Sequence, residues 1–240
     1  MKNGRMDSKH RLQGENVTQT PTATKERSAS TAPDVAAALR QAIASGKFVP
    51  NQRLVEIDLC DDFGASRAAV RSALQELTTE GLIEHVRNRG SRVRAVPLAE
   101  AIEITEVRSA LEGLCAAKAA SRISNSETAE FQVLRAAILE AAASGQNDSY
   151  SELNQQLDRR ILEISGHETA AAVLHRLRAQ VVRHQFKLAS VPGRSEVSAA
   201  EHAAIIDAIV ARDPDAAEAA VRRHMLSVAR AMSSREGASS

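Results

Sequence analysis

The chain has 240 residues, enough for two modest domains with a core each, and its 43% hydrophobic and 25% charged residues exclude wholesale disorder and a fibrous repeat. Aromatic residues make up only 2% and Trp is absent, while Ala, Leu, Arg and Glu abound, which argues against a sheet-rich fold and for a mainly α one. The net charge of +1 hides a division: residues 1–33 carry +3, residues 34–96 carry +1 and residues 97–240 carry −3.

Residues 1–33 are polar and without apolar periodicity, and are read as a flexible tail. From residue 34 a helical stripe of Val35, Leu39, Ala42 and Ile43 runs to Gly46. Leu54, Ile57, Leu59 and Phe63 predict a short second helix over 54–63, stopped by Gly64. Ser66 then offers an N-cap hydroxyl to a third helix, in which Val70, Leu74 and Leu77 share one face while Arg67 and Arg71, four apart, share another. After Gly81, residues 82–86 and 91–96 read as two short strands joined at Asn88, Arg89 and Gly90. Residues 34–96 therefore follow the winged helix-turn-helix plan, with a small β-hairpin wing and Arg89 at its tip.

The acids Glu56, Asp58, Asp61 and Asp62 precede a cluster of Arg67, Arg71, Arg87, Arg89, Arg92 and Arg94. Clustered guanidinium groups suit a phosphate-facing surface, because each one that displaces a condensed counterion adds salt-sensitive affinity. A solvated Arg-rich face is the alternative. Scarce aromatics fit duplex grooves and not single strands, whose bases need stacking platforms.

Pro97 marks a boundary, and residues 97–233 read as an antiparallel all-α six-helix bundle. The helices are expected at 98–123, 126–144, 148–165, 167–190, 195–211 and 214–233, with a tail over 234–240. Their breaks come from a Ser124/Glu127 capping box, Gly145, Gly166, Pro192-Gly193, and Asp213-Pro214 as N-cap and N1. Cys60 and Cys115 fall in apolar helical patterns and are expected as reduced, buried thiols. No apolar run would cross a bilayer and no signal-peptide core opens the chain, so a cytoplasmic protein is expected.

Five ordered blocks, residues 39–46 (LRQAIASG), 50–54 (PNQRL), 64–74 (GASRAAVRSAL), 80–83 (EGLI) and 88–90 (NRG), together resemble a GntR-type transcriptional regulator. Residues 106–112 (EVRSALE) and 201–209 (EHAAIIDAI) are similar to the FCD effector domain of the FadR subfamily. The resemblance spans about residues 34–232 and implies a ligand-responsive repressor of a metabolic operon, a homodimer on a palindromic double-stranded DNA operator, and no enzymatic activity. It implies DNA contact by Arg53, Ser66, Arg67 and Arg71, and a wing tip at Arg89 and Gly90. Ala68 and Asn51 depart from the commoner Thr and Gly of that pattern.

In the bundle, Asn154 and Asp158 share a helix face, and His202 and His224 lie on the last two helices, where antiparallel packing can bring them together. Similar FCD domains hold a metal with an Asp or Asn, a His four residues on, and one His from each of the last two helices. Here Asp158 stands at the second position, which weakens the preference for Zn or Ni and leaves Mn or Fe as further candidates for a divalent ion. The alternative is an ion pair of Asp158 with a histidine, Arg159 or Arg160 and no metal. Arg108 is, by resemblance, the group that meets the carboxylate of a small organic acid effector. A local pair with Glu112, four residues on, is the competing reading. His10, His85, His167, His175 and His184 are expected as surface or packing residues. A metal-dependent enzyme on the bundle and a nonspecific architectural DNA protein are the rival functions. The first lacks a positioned nucleophile, and the second leaves the bundle without a role.

Overall fold

A computed structural model describes residues 30–87, 89–189 and 191–237. Residues 1–29, which hold His10 and nearly all of the expected tail, lie outside the described residues, as do Asn88 of the wing turn and residues 238–240.

The head opens with α1 (Ala32–Ala44), which begins two residues earlier than expected because Thr31 and Asp34 form a capping box and Pro33 sits in the first turn. Then come β1 (Arg53–Leu54), α2 (Glu56–Phe63), α3 (Arg67–Thr79), β2 (Ile83–Val86) and β3 (Gly90–Val93). The three strands form one antiparallel sheet in the order β1-β3-β2. The strand β1 replaces the expected first turn of the second helix: Arg53 pairs with Arg92 and Leu54 with Ser91 on β3. Val35, Leu39, Ile43, Leu54, Leu59, Val70, Leu74, Leu77, Ile83 and Val93 make a closed small core. Ile57, expected inside it, is 52% exposed, since a helix of eight residues turns one narrow face inward and Leu59 fills it.

Six helices follow as expected: α4 (Leu98–Arg122), α5 (Asn125–Ala143), α6 (Asn147–Ser165), α7 (Glu168–Ala189), α8 (Arg194–Val210) and α9 (Pro214–Gly237). The last runs to residue 237, through the expected start of the tail at residue 234. The Ser124/Glu127 box caps α5, and Asp213 Oδ1 accepts from the Ala216 N–H at 3.0 Å to cap α9. The bundle core is built on Phe131, Ile138, Leu157, Leu174, Ile206 and Ile209. Cys115 is fully buried within it and Cys60 is half-buried in the head; neither forms a disulfide.

The helix α7 ties the two parts together. Its Ala179 packs on the head core. Gln180 Nε2 donates to the Glu80 carbonyl at 2.9 Å, Arg183 Nη1 to the Phe48 carbonyl at 3.3 Å, and His184 Nε2 lies 2.9 Å from the Val96 carbonyl.

Candidate functional site

The first candidate surface is built on the turn between α2 and α3. Gly64 closes α2 in the left-handed conformation (φ 59°), and Ser66 opens α3 with its Oγ accepting from the Ala69 N–H at 3.1 Å. Val70, Ala73, Leu74 and Leu77 then face the core, and 3.6-residue periodicity turns Arg67 and Arg71 outward. Ser66, Arg67 and Arg71 thus share the exposed start of one helix, where unsatisfied N–H groups and guanidinium charge favour an anion. Arg71, 68% exposed, donates from Nε to Glu56 Oε2 of α2 at 2.8 Å.

Arg53, Arg89 and Gly90 belong to the sheet instead. Arg53 on β1, Arg92 on β3 and Glu84 on β2 stand in one cross-strand row, and Glu84 accepts from Arg92 at 2.6 Å. Gly90 (φ 77°) pairs with Val86, and the exposed Arg89 closes the turn by donating its N–H to the Val86 carbonyl at 2.9 Å. Arg53, Arg67, Arg87 and Arg89 are exposed and have no carboxylate partner among the described residues, whereas Arg92 and Arg94 are held by Glu84 and Glu100.

The second candidate is a cavity of about 440 Å³ inside the bundle, walled by α4, α6, α7, α8 and α9 and, on one side, by Gln41, Ala44 and Ser45 of the head. Arg108 lies on its wall, only 4% exposed. The expected local pair is present: Arg108 Nε and Nη2 donate to Glu112 Oε1 at 3.1 and 3.0 Å. The same carboxylate oxygen accepts from Arg178 of α7, and Arg178 Nη1 reaches Asp158 Oδ2 at 3.2 Å. Burial pushes the Glu112 carboxyl up, but Arg108 and Arg178 outweigh it and hold it at about 2. Burial also pushes Asp158 up; Arg178 offsets this only in part, and the nearby negative charge of Glu112 adds to the rise.

All four expected metal ligands line this cavity. The His202 and His224 rings stand 4.4 Å apart, centroid to centroid. His224 Nδ1 is 2.8 Å from Glu201 Oε2, which also accepts from Arg194 at 3.2 Å, and His202 Nδ1 is 3.3 Å from the Tyr150 hydroxyl. Burial, then the charges of His224 and Arg194, push His202 well below the ordinary imidazole value and keep it neutral at pH 7. Among the described residues, Asn154 Oδ1 is buried with no hydrogen-bond partner, as are Arg108 Nη1 and Arg194 Nε. Asp158 is drawn to Arg178 and to neither Arg159 nor Arg160; Arg160 bonds Glu130 and Glu163 instead. Among the described residues no three His, Cys, Asp or Glu side chains come close enough together to hold a metal ion.

Of the other histidines, His85 and His175 are exposed, the ring of His167 caps the start of α7 by accepting from the Ala170 N–H at 3.3 Å, and His184 serves the seam with the head. Sequence reasoning missed Arg178, Arg194 and Tyr150, which line the cavity, and Glu201, which holds the cavity residues Arg194 and His224. Only Arg194 had a local signal, its place directly after the Pro192-Gly193 break. Among the described residues no helix is long and apolar enough to cross a membrane.

The model of bacterial regulatory proteins of the gntR family matches residues 31–93, and the FCD domain model matches residues 103–227, just over half of the chain. A probable D-xylose utilization operon transcriptional repressor of Paenarthrobacter nicotinovorans is 27% identical over 183 residues, which cover 76% of this chain and 80% of that one. The HTH-type transcriptional repressor RspR of Escherichia coli is 28% identical over 187 residues, 78% of this chain and 82% of its own. The solved structure of E. coli McbR/YncC shares the fold with a TM-score of 0.75 at 20% identity, over 86% of this chain and 99% of that one. A GntR-type structure from Rhodococcus follows with a TM-score of 0.64 at 22% identity, over 84% of this chain and 96% of the other. The chain belongs to the gntR family of bacterial regulatory proteins, with an FCD domain as its C-terminal part, and is a DNA-binding transcriptional regulator and not an enzyme.

Proposed function

We propose that this regulator represses a metabolic operon from the bacterial cytoplasm, that it binds a palindromic operator as a homodimer, and that a small organic acid in the bundle cavity alters its grip on DNA. Ser66, Arg67 and Arg71 would meet the major groove and its phosphates, and Arg53, Arg89 and Gly90 the flanking backbone. The exposed, unpaired cations at Arg53, Arg67 and Arg89 support that division of roles. Val107 and Leu114, seven residues apart on α4 and 51% and 38% exposed, support a second copy against that helix.

One observation carries the sensing half of the reading. The cavity is walled by both parts of the chain, Gln41 and Ser45 from the DNA-binding head and Arg108, Arg178 and His224 from the bundle. An occupant that extends to that wall would touch the head directly, and a ligand can shift an equilibrium between head placements only by binding one of them better than the other. The unpartnered Arg108 Nη1 and Arg194 Nε offer two charge-assisted donors to a carboxylate.

The test is fluorescence anisotropy on DNA upstream of the regulator's own gene, titrated with the full-length protein at fixed salt and repeated with a panel of small carboxylic acids. A specific fragment whose affinity falls with one acid is expected. No fragment preference over random duplex would remove the operator reading, and no response to any small molecule would remove the sensing one.

A further inference from the structure

The cavity residues that resemble a metal site do not compose one in this chain. We propose that the Asp158–Arg178 ion pair stands where a metal-bound pair would be, and that the cavity takes its organic acid without a metal ion. The inference rests on the reading of the cavity as the effector site.

Three observations carry it. The first is the commitment of Asp158. Its Oδ2 is 3.2 Å from Arg178 Nη1, and the same guanidinium bonds Glu112 through Nε and Nη2 at 3.1 and 3.0 Å. To ligate an ion, Asp158 would have to leave a guanidinium that is 22% exposed and placed between two carboxylates.

The second is the charge count around the cavity. Arg108, Arg178 and Arg194 face Glu112, Asp158 and Glu201, and every one of these carboxylates has a guanidinium partner. A divalent cation would bring two further positive charges into a balanced, largely desolvated site, with no unpaired carboxylate to offset them. The contact of His224 Nδ1 with Glu201 does not distinguish the readings, since ligating histidines are oriented in the same way; the balance of charges does.

The third is which fully buried polar side-chain atoms have no hydrogen-bond partner among the described residues. Two are guanidinium donors, Arg108 Nη1 and Arg194 Nε, and one is an amide acceptor, Asn154 Oδ1. Spare donors of this kind answer a carboxylate, and the spare acceptor answers a hydroxyl or an ammonium. The cavity thus fits a small monocarboxylate that also carries a hydroxyl or amino group, bound by hydrogen bonds where a metal site would bind by coordination.

The full-length protein, purified without chelator, decides this. Elemental analysis should find substoichiometric metal, Co(II) titration should give no visible d–d absorption, and EDTA should leave the melting temperature and the acid response of operator binding unchanged. Asp158→His, which supplies an imidazole and releases Arg178, and Arg178→Gln, which frees Asp158, should each gain the Co(II) spectrum; circular dichroism identifies whichever is folded. Near-stoichiometric metal in the native protein, a melting temperature lowered by EDTA, or no Co(II) spectrum from a folded variant overturns the proposal. An acid response that requires added metal also overturns it while leaving the sensing reading intact. A metal-free protein with no acid response upholds metal independence and removes the sensing reading.

Discussion

Gln180 on α7 donates to the carbonyl of Glu80, the residue that ends α3, at 2.9 Å, while Arg178, two positions earlier on α7, lines the bundle cavity. Glu80 is itself gripped from α1, where Arg40 donates to its two carboxylate oxygens at 2.8 and 2.7 Å. A shift of α7 at Arg178 therefore reaches the far end of the helix that carries Arg67 and Arg71, through two residues of α7 and one hydrogen bond. Gln180→Ala is expected to leave operator affinity and effector affinity near native but to reduce the coupling between them, by roughly 0.5–2 kcal/mol if this bond belongs to the two-state element. Operator titrations with and without effector measure that difference; an unchanged ratio would assign the coupling to the packing of Ala179 and the Arg183 and His184 contacts.

The arginines at the start of α3 are expected to behave differently from each other. Arg71 is already paired with Glu56, so on DNA it exchanges one anion for another, whereas Arg67 has no carboxylate partner to leave among the described residues. Arg67→Ala should weaken all duplexes alike and lower the salt slope by about 1, the signature of one lost phosphate contact. Arg71→Ala should cost roughly 1–3 kcal/mol on the operator and less on random DNA, if the side chain reads a base edge. Glu56→Gln should tighten binding, because it removes both the competitor for Arg71 and a negative charge facing phosphates. Anisotropy over a salt series checks all three.

Glu112 sets an acid limit on the bundle. Its carboxyl is held at about 2, against 4.5 for an unperturbed one, so the folded state binds this proton less readily than the unfolded chain does. The stabilisation is therefore complete above about pH 4.5 and is lost as the pH falls toward 2. Arg108 and Glu112 are 4% and 12% exposed, and removal of one partner from such a buried pair costs about 3–5 kcal/mol. Glu112→Gln should show that cost in urea unfolding at pH 7 and progressively less of it below pH 4.5. A constant difference across that range would assign the loss to packing instead of charge.

The pattern of what could be read from the sequence follows from the range of the forces involved. Helix ends were legible because caps are local: Ser66, Ser124 with Glu127, and Asp213 with Pro214 each act within three residues. The strand of Arg53 and Leu54 was not legible, and Leu54 was assigned to the second helix, because two residues are too few to show strand alternation and their pairing is with β3, nearly forty positions away in the chain. Within the cavity, Asn154 and Asp158 share a face by helical spacing and Arg108 finds Glu112 by the same rule, so these were visible. Arg178 was not. It meets Asp158 and Glu112 only because α7 packs against α4 and α6, and nothing in a single helix period encodes that crossing. The missing partner altered the chemistry most, because it determines whether Asp158 is available to an ion.

Ser66 allows the folding role and the DNA role of one residue to be separated. Its Oγ caps α3 by accepting from the Ala69 N–H at 3.1 Å, and Ser66→Ala should cost about 1 kcal/mol of stability through loss of that bond. Asp is as good an N-cap as Ser, so Ser66→Asp should retain native stability in thermal unfolding. On DNA the outcome reverses. A carboxylate at the exposed start of α3 would face phosphates and neutralise the helix end that attracts them, so Ser66→Asp should bind operator and random duplex more weakly than Ser66→Ala does, with the gap widest at low salt. Equal DNA affinities for the two variants would mean that the start of α3 does not approach the backbone, and the cations of the sheet, Arg53 and Arg89, would then have to carry the contact.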